Sequence, residues 1–336
     1  MILPAECPGP NSGPAGAMCA AVYSGVKSLA IARRSLMSSD ALWQPLFPYE
    51  SRSLDLGGVR YAYVDEGQGD VLLMVHGNPT WSFYWRELIR GLSPHYRVIA
   101  VDHVGCGRSD KPANYPYHLA QHVANLTALV DRLDLGNVTL LAHDWGGAIG
   151  LGAALARPDR FARFVLFNTG AFRSQLMPWR IRACRIPLVG RWAVQGLNAF
   201  ALAALSMAVS HPERMTAEVR AGLLAPYDTW AHRQAIYRFV ADIPMSAEHP
   251  SYETLWAIER GLPRLAARPW MFIWGMQDWC FTPAFLRRFQ EFIPNAEVYE
   301  LADAGHYVIE DAHERIVPLV ESFLERHPLA AASIRS

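Results

Sequence analysis

The chain has 336 residues, of which 51% are hydrophobic and 18% charged, so it can form one large domain with an inserted subdomain or two ordinary domains. Lys plus Arg and Asp plus Glu both number 31, which leaves no basic surplus for nucleic acid and no acidic tail for a basic partner. No apolar run reaches the roughly 18 residues of a membrane span.

Five scattered cysteines have neither close pairs nor metal-ligand spacing, which favours free thiols in a reducing, cytoplasmic compartment. Residues 1–42 differ from the rest, because the weakly apolar stretch 17–32 comes before Arg33 and Arg34. A secretory signal has the opposite order, with positive charge first. We therefore predict a disordered N-terminal extension over 1–42, or a start codon set too early with Met37 as the natural one.

The first half of the chain alternates strand and helix patterns. Alternating apolar and polar residues around two glycines predict an edge β-hairpin over 52–64. Continuous apolar runs at 71–75 and 138–142 are typical of parallel strands covered on both faces. The other predicted elements here are strands over 96–101 and 164–167 and helices over 84–92, 119–133 and 146–156.

This alternation stops over residues 172–262, which are rich in Ala, Trp, Arg and Met, with helical periodicity broken by prolines. It then returns with strands over 270–274 and 297–301 and helices over 283–292 and 316–326. Alternating strands and helices predict a mostly parallel sheet covered by helices on both faces.

The sheet would have eight strands, with a helical cap inserted after the sixth. We expect 43–171 and 263–328 to form the core and 172–262 to form the cap. In such sheets ligands bind at the carboxyl ends of the strands. Polar residues at these ends are therefore the first candidates for a functional site.

The stretch 138–147 contains the most informative of these residues. An apolar strand ends at Asp144 and opens directly into a helix of small residues. Such a bend holds the turning residue in a strained, exposed position and needs small neighbours, here Ala142 and Gly146. This is the nucleophile-elbow pattern with an aspartate in place of serine. The structural alternative is that Asp144 caps the helix.

Asn78, Asp278 and His306 each lie a few residues beyond a predicted strand. Asp144, Asp278 and His306 follow the order nucleophile, acid, histidine that α/β-hydrolases use. Each has a structural alternative, since Asn78 suits a turn, Asp278 a helix cap and His306 the interior, while Trp145 suits core packing. These alternatives do not predict the order of the residues or their places at strand ends.

Five loops carry a resemblance to a known family, and they span 76–81, 102–110, 142–147, 275–278 and 303–307. Together they resemble the haloalkane dehalogenase family of α/β-hydrolases, over about residues 43–328. The chain is most similar to the third subfamily, because Asp278 follows the seventh strand and Asn168 stands where another branch has glutamate. The resemblance implies an α/β-hydrolase fold with a helical cap after the sixth strand.

The resemblance also implies roles for five residues. Asp144 would displace a leaving group at saturated carbon and form an ester with the enzyme. The indole of Trp145 and the amide of Asn78 would receive a leaving halide, and their backbone N–H groups would hold an oxyanion. His306 would activate water and Asp278 would orient the imidazole. No cofactor and no metal ion is implied.

Hydrolytic dehalogenation of a haloalkane is the first predicted function. The cap stretches 215–220, 225–228 and 242–244 also resemble the bacterial β-lactone decarboxylases of olefin biosynthesis, which belong to the same subfamily. In that alternative Asp144 opens a β-lactone ring, and carbon dioxide leaves as an alkene forms. Both readings imply a small apolar substrate, no nucleic acid and no membrane span, and both are compatible with an oligomer or an assembly with pathway enzymes.

Three other functions fit the sequence less well. An epoxide hydrolase needs two acidic hydroxyls, which Tyr227 and Tyr237 could supply, but it would leave Asn78 without a role. A fluoroacetate dehalogenase calls for an arginine where this chain has Val104. A non-enzymatic binding protein on the same fold is expected to lack a catalytic residue, and all five candidates are present.

Overall fold

The computed structural model describes residues 41–329, so the predicted extension over 1–42 lies almost wholly outside the described residues. Eight strands form one sheet: β1 (Arg52–Asp55), β2 (Arg60–Glu66), β3 (Val71–Val75), β4 (Arg97–Val101), β5 (Val138–Asp144), β6 (Phe161–Thr169), β7 (Trp270–Gly275) and β8 (Glu297–Leu301). Their order is β1-β2-β4-β3-β5-β6-β7-β8. Only the pairings of β2 with β1 and β4 are antiparallel. The predicted mostly parallel eight-stranded sheet is confirmed.

Burial explains why the strands have these sequences. Every residue of β3 and β5 is buried, because helices cover both faces of the sheet, and both strands are accordingly apolar along most of their length. The edge hairpin turns at Gly57 and Gly58, which have φ of +69° and +88°. The backbone N–H of Gly58 donates to the Asp55 carboxylate at 2.7 Å and closes the turn.

The longer helices are α1 (Arg86–Leu92), α2 (Leu119–Arg132), α3 (Trp145–Ala156), α4 (Trp179–Cys184), α5 (Ala199–Met207), α6 (Ala217–Leu224), α7 (Gln234–Ala241), α8 (Tyr252–Gly261), α9 (Pro283–Phe292) and α10 (Val308–Arg326). Within residues 41–329, none of the helices combines the length and the apolar character that a bilayer crossing requires.

Helices α4 to α8 lie between β6 and β7, where the sequence predicts a helical cap. Pro178 precedes α4 directly, and Pro226 and Pro244 follow α6 and α7, as expected for a residue that cannot continue a helix. A short helical segment, Val189–Arg191, runs into the π-helical stretch Trp192–Gly196 between α4 and α5. The division into a core and a cap at residues 172 and 262 stays a prediction.

The last helix begins at Val308 rather than at residue 316, and a kink at Ala312, with φ −149° and ψ 23°, separates its first turn from the rest. Its first turn carries Glu310 and Asp311, which look like loop residues in the sequence but are buried. Arg86 forms a two-pronged ion pair with Glu310, with both N···O distances 2.6 Å. Asp311 accepts backbone hydrogen bonds, among them 2.7 Å from Gly305 and 3.0 Å from His211. These partners make the burial of two carboxylates tolerable.

β6 is also longer than the predicted strand over 164–167, since it starts at Phe161 and includes Asn168 and Thr169. Both polar side chains are buried, and both make hydrogen bonds there. A polar residue at a strand end resembles a loop residue unless its partners are known.

The ion pair between Arg86 and Glu310 generates a test of stability. Arg86→Met would leave the Glu310 carboxylate buried and unpaired, so we expect the free energy of unfolding to fall by about 3–5 kcal/mol in urea denaturation. Arg86→Met combined with Glu310→Leu should recover most of this loss. Arg160→Met, which breaks an exposed pair with Asp134, should change stability little. Equal effects of the single variants Arg86→Met and Arg160→Met would contradict the structural role.

Candidate active site

The five predicted site residues meet at the carboxyl edge of the sheet. Asp144 ends β5, and Trp145 begins α3. Asn78 follows β3, Asp278 follows β7 and His306 follows β8. Four of the five side chains are buried, and that of Trp145 is partly buried. The structure thus brings together residues that are separated by as many as 228 positions in the sequence.

The backbone at Asp144 forms the sharp bend that the sequence predicts, with φ +53° and ψ −127°. A non-glycine residue rarely adopts a positive φ, and the cost is on the order of 1–3 kcal/mol. The bend brings α3 so close to β3 that a Cβ on Gly146 would overlap the carbonyl oxygen of Val75. A Cβ on Gly77 would likewise overlap the Asp144 side chain. Glycine at these two positions therefore allows the carboxylate to sit where it does.

The Asp144 carboxylate accepts hydrogen bonds from two backbone N–H groups. The N–H of Asn78 donates to Oδ1 at 2.6 Å, and the N–H of Trp145 is a second donor. Burial raises the pKa of the Asp144 carboxyl, and the nearby His306 imidazole and the two N–H groups offset only part of that rise. The carboxylate is therefore fixed in position but poorly hydrated, as a nucleophile needs to be.

His306 lies between the two acidic residues. Its Nδ1 is 2.8 Å from Oδ2 of Asp278, and its Nε2 is 3.8 Å from Oδ2 of Asp144. Burial lowers the pKa of His306, but the charge and hydrogen bond of Asp278 and the charge of Asp144 outweigh it, so the pKa is raised. The longer distance is beyond a direct hydrogen bond, which leaves Nε2 able to accept a proton from a small molecule.

Asn168 holds Asp278 in place. Its Nδ2 donates to Oδ2 of Asp278 and to the carbonyl of Gly275, both at 3.0 Å, while its Oδ1 accepts from the N–H of Gly275 at 2.8 Å. The backbone N–H of Cys280 donates to Oδ1 of Asp278 at 2.6 Å. Both carboxylate oxygens thus have donors besides His306. Sequence analysis noted Asn168 only as a substitute for a glutamate and missed this positioning role.

Asn78 and Trp145 present neutral donors beside Asp144. The Asn78 Nδ2 donates to the carbonyl of Ile236 in α7 at 3.1 Å, which fixes the orientation of the amide and leaves its second N–H unused. The indole N–H of Trp145 makes no hydrogen bond to any part of residues 41–329, and its ring packs on Phe239. Two N–H groups are therefore available to an anion that leaves a substrate.

A cavity of about 480 Å³ adjoins these groups. Asn78, Asp144, Trp145 and His306 all line it, and most of its other lining residues are apolar. Its volume and lining are typical of a site for a small apolar molecule. The larger apolar residues around it are Phe172, Leu176, Met177, Trp179, Ile181, Phe200, Met207, Val240, Met245, Leu255, Phe281 and Phe285.

The tyrosines considered for an epoxide hydrolase do not line this cavity. Tyr227 instead donates its hydroxyl hydrogen bond to the carbonyl of Thr80 at 3.0 Å. Tyr307 does line the cavity, and the sequence analysis missed it. The available signal was its position next to His306. With Tyr227 and Tyr237 elsewhere, the paired acidic hydroxyls that an epoxide hydrolase requires are not supplied by the residues proposed for that role.

The site can be compared with known proteins. The family described as alpha/beta hydrolase fold matches residues 70–312. The cis-3-alkyl-4-alkyloxetan-2-one decarboxylase of Xanthomonas campestris pv. campestris is 42% identical over 85% of this chain and 99% of its own length. Haloalkane dehalogenase 2 of Mycobacterium tuberculosis is 32% identical over 85% of this chain and 100% of its own length.

Solved structures agree with these relatives. The crystal structure of the haloalkane dehalogenase DatA from Agrobacterium tumefaciens C58 has a TM-score of 0.75 and is 29% identical, covering 83% of this chain and 97% of DatA. The match is not confined to one motif, since it spans most of both chains. The chain therefore belongs to the alpha/beta hydrolase fold family, together with the haloalkane dehalogenases and the cis-3-alkyl-4-alkyloxetan-2-one decarboxylases.

Proposed function

We propose that this protein is a cis-3-alkyl-4-alkyloxetan-2-one decarboxylase, which converts a β-lactone into an alkene and carbon dioxide. The observation that carries the proposal is a buried aspartate that faces an apolar cavity and is flanked by neutral N–H donors. The greater identity to a decarboxylase than to a dehalogenase favours the lactone over an alkyl halide. The five predicted residues would carry the reaction.

In the first step, the Asp144 carboxylate would attack the saturated ring carbon that is bonded to the ring oxygen, not the carbonyl carbon. The bond from this carbon to the ring oxygen breaks, an ester to Asp144 forms, and the substrate is left with a free carboxylate. The unused N–H of Asn78 and the indole N–H of Trp145 are placed to receive that anion. Because neither donor is charged, neither would hold the carboxylate too tightly for the second step.

In the second step, the bond between the substrate carboxylate and its neighbouring carbon breaks. The electron pair of that bond forms the carbon–carbon double bond, and the Asp144 carboxylate departs. Atoms and charge balance without water or a proton. The backbone N–H groups of Asn78 and Trp145 would stabilise the charge that returns to Asp144.

Dehalogenation is the second candidate, and His306 is the observation that favours it. A base of raised pKa beside Asp144 has no proton to accept in the lactone route. In a dehalogenase it would take a proton from the water that hydrolyses the alkyl ester of Asp144, with Asp278 stabilising the imidazolium. The halide would leave toward Asn78 and Trp145. The same site therefore contains the groups for both reactions.

The arrangement of the protein and its location are also part of the proposal. Residues 43–171 and 263–328 would form the core, and 172–262 would form the cap. Cys106, Cys184 and Cys280 are free thiols, which supports a reducing compartment and hence the cytoplasm. An oligomer or an assembly with the enzymes that make the lactone would allow direct transfer of an apolar intermediate.

The direct test supplies one preparation with a long-chain cis-β-lactone and, separately, with 1-bromohexane. We expect alkene formation, followed by gas chromatography, to exceed halide release by several orders of magnitude. Asp144→Asn should abolish both reactions, by about 10⁴-fold or more, because it removes the nucleophile. Asp303→Asn on the surface is the matched control and should retain both. Alkene formation by Asp144→Asn at the rate of the unaltered protein would refute the proposed chemistry.

His306→Gln separates the two routes. With 1-bromohexane the first step should proceed and the alkyl ester should accumulate, so mass spectrometry should find the added hexyl mass on the peptide that contains Asp144. With the lactone, alkene formation should continue within about tenfold of the original rate, because no proton is transferred. A loss of alkene formation as deep as that of Asp144→Asn would show that the lactone route needs the imidazole as a base.

The two reactions should also differ in their pH dependence. Repeated cycles of halide release require neutral His306 as a base. The pKa of His306 is raised above its ordinary 6.5, so the rate of halide release should fall as the pH drops through that raised value. Alkene formation needs only ionised Asp144, whose pKa is raised above its ordinary 3.8. In steady-state measurements between pH 4 and 9, the rate of halide release should therefore begin to fall at a higher pH than the rate of alkene formation. A fall of both rates at the same pH would contradict the separate roles of the two groups.

A further inference from the structure

Large apolar side chains are exposed on one part of the cap segment. Eight of the ten large apolar side chains that are exposed among residues 41–329 lie between residues 176 and 202. Trp179 and Leu188 are 72% and 78% exposed. Outside this stretch, Trp230 packs against Trp192, with 5.7 Å between the ring centroids, and so extends the same surface. Soluble proteins rarely expose this much apolar surface in one place without a binding role.

The same stretch is cationic, although the whole chain has a formal net charge of zero. Residues 176–202 contain Arg180, Arg182, Arg185 and Arg191 and no Asp or Glu. Within residues 41–329, none of these four guanidinium groups forms an ion pair with a carboxylate. Arg180 and Arg191 instead lie over the rings of Trp179 and Trp230, at 5.2 and 5.6 Å from the centroids. We call the exposed surface of residues 176–202 with Trp230 the cationic apolar patch.

The backbone presents part of this patch at a sharp turn. Leu188 has φ +63° and ψ −57°, and the N–H of Val189 donates to the carbonyl of Pro187 at 2.7 Å. The turn closes against α4, because a Cβ on Gly190 would overlap the carbonyl of Cys184. Leu188 and Val189 are consequently exposed together at the tip.

The patch also meets the cavity of the candidate active site. Leu176, Trp179 and Arg180 line the cavity, and Trp179 is at the same time among the most exposed residues of the patch. The cavity therefore reaches the surface within the patch. A surface that bound the patch would cover the route by which a ligand enters.

We propose that the cationic apolar patch docks on a lipid bilayer that contains anionic phospholipid and so places the mouth of the cavity against the bilayer. Arginine and tryptophan beside exposed aliphatic side chains are the composition of protein surfaces that lie in the interface of a membrane. The exposed guanidinium groups of Arg180, Arg182 and Arg191 would bind lipid phosphate, and the apolar tip would enter the acyl boundary. Arg185 is only partly exposed and donates to the carbonyl of Ile243 at 2.7 Å, so it contributes positive charge rather than a direct contact.

A bilayer fits these residues better than the remainder of this chain does. Residues 1–40 carry Lys27, Arg33 and Arg34 against Glu6 and Asp40, so their balance of charge has the same sign as the patch. The proposed substrate and the alkene product would both partition into a bilayer, and in this respect the inference extends the proposed function. Docking itself requires neither reaction, so it can be measured without turnover.

Vesicle flotation with the full chain tests the inference. Vesicles of phosphatidylcholine alone are compared with vesicles that contain about one-third phosphatidylglycerol, at low and at high salt. We expect binding to the anionic vesicles, weaker binding at high salt, and little binding to phosphatidylcholine. Absence of binding by the unaltered full chain to the anionic vesicles at low salt would overturn the proposal.

Two pairs of substitutions, neither lining the cavity, separate charge from apolar contact. Arg182→Glu with Arg191→Glu should weaken binding at least about tenfold at low salt. Leu188→Asn with Val189→Asn should also weaken it, and this loss should persist at high salt. Arg132→Glu with Arg264→Glu, at the amino edge of the sheet, makes the same change of charge and should bind like the unaltered protein. Thermal melting checks that each variant folds.

Other occupants of the patch would give different results. If the control pair weakened vesicle binding as much as the Arg182 and Arg191 pair, only net charge would matter and the assigned surface would be wrong. If the unaltered protein formed a dimer that Leu188→Asn with Val189→Asn dissociated, and it did not bind vesicles, the patch would be an interface between copies. Either result would overturn the proposal while leaving the proposed reaction intact.

Discussion

The carboxylate of Asp144 depends on a close approach of two backbone segments. The strand β5 ends in a residue of positive φ, and α3 begins at once, with no loop between them. Gly146 and Gly77 allow the loop after β3 to pass against this bend, and the N–H of Asn78 can then reach the carboxylate. The position of the Asp144 carboxylate therefore follows from contacts between neighbouring parallel strands. Without these two glycines the loop and the bend could not occupy the same space.

The polar groups of the site divide into two sets. Neutral N–H donors from Asn78 and Trp145 face the place where a leaving anion would form. The hydrogen-bonded pair of His306 and Asp278, held by Asn168, places Nε2 of His306 3.8 Å from the Asp144 carboxylate. In the proposed reactions the first set would serve displacement at carbon, which a lactone and an alkyl halide share. The second set would serve the activation of water, which only the hydrolytic reaction needs. One arrangement of residues is thus compatible with two outcomes, and the fate of the proposed ester on Asp144 would decide between them.

The segment between β6 and β7 connects the candidate site to the surface of the protein. Its carbonyl at Ile236 orients the Asn78 amide, so this segment contributes to the candidate site as well as to the cavity. On the outside, its exposed apolar residues stand among arginines without carboxylate partners in the described part of the chain. Trp179 lines the apolar cavity and is also exposed in the cationic apolar patch. Entry of a ligand and attachment of the protein to a surface would therefore involve the same stretch.

The sequence was sufficient to predict the sheet, the bend at Asp144 and the family, because these depend on local features. Continuous apolar runs mark covered parallel strands, small residues mark the bend, and the order of polar strand ends marks the site. Tertiary structure alone decided which buried polar residues have partners. Asn168, Thr169, Glu310 and Asp311 resemble loop residues in the sequence, and only their distant hydrogen bonds and ion pairs explain why they lie inside elements. The lining of the cavity and the exposure of the cationic apolar patch also depend on how helices pack, since helical periodicity does not say which neighbour covers each face.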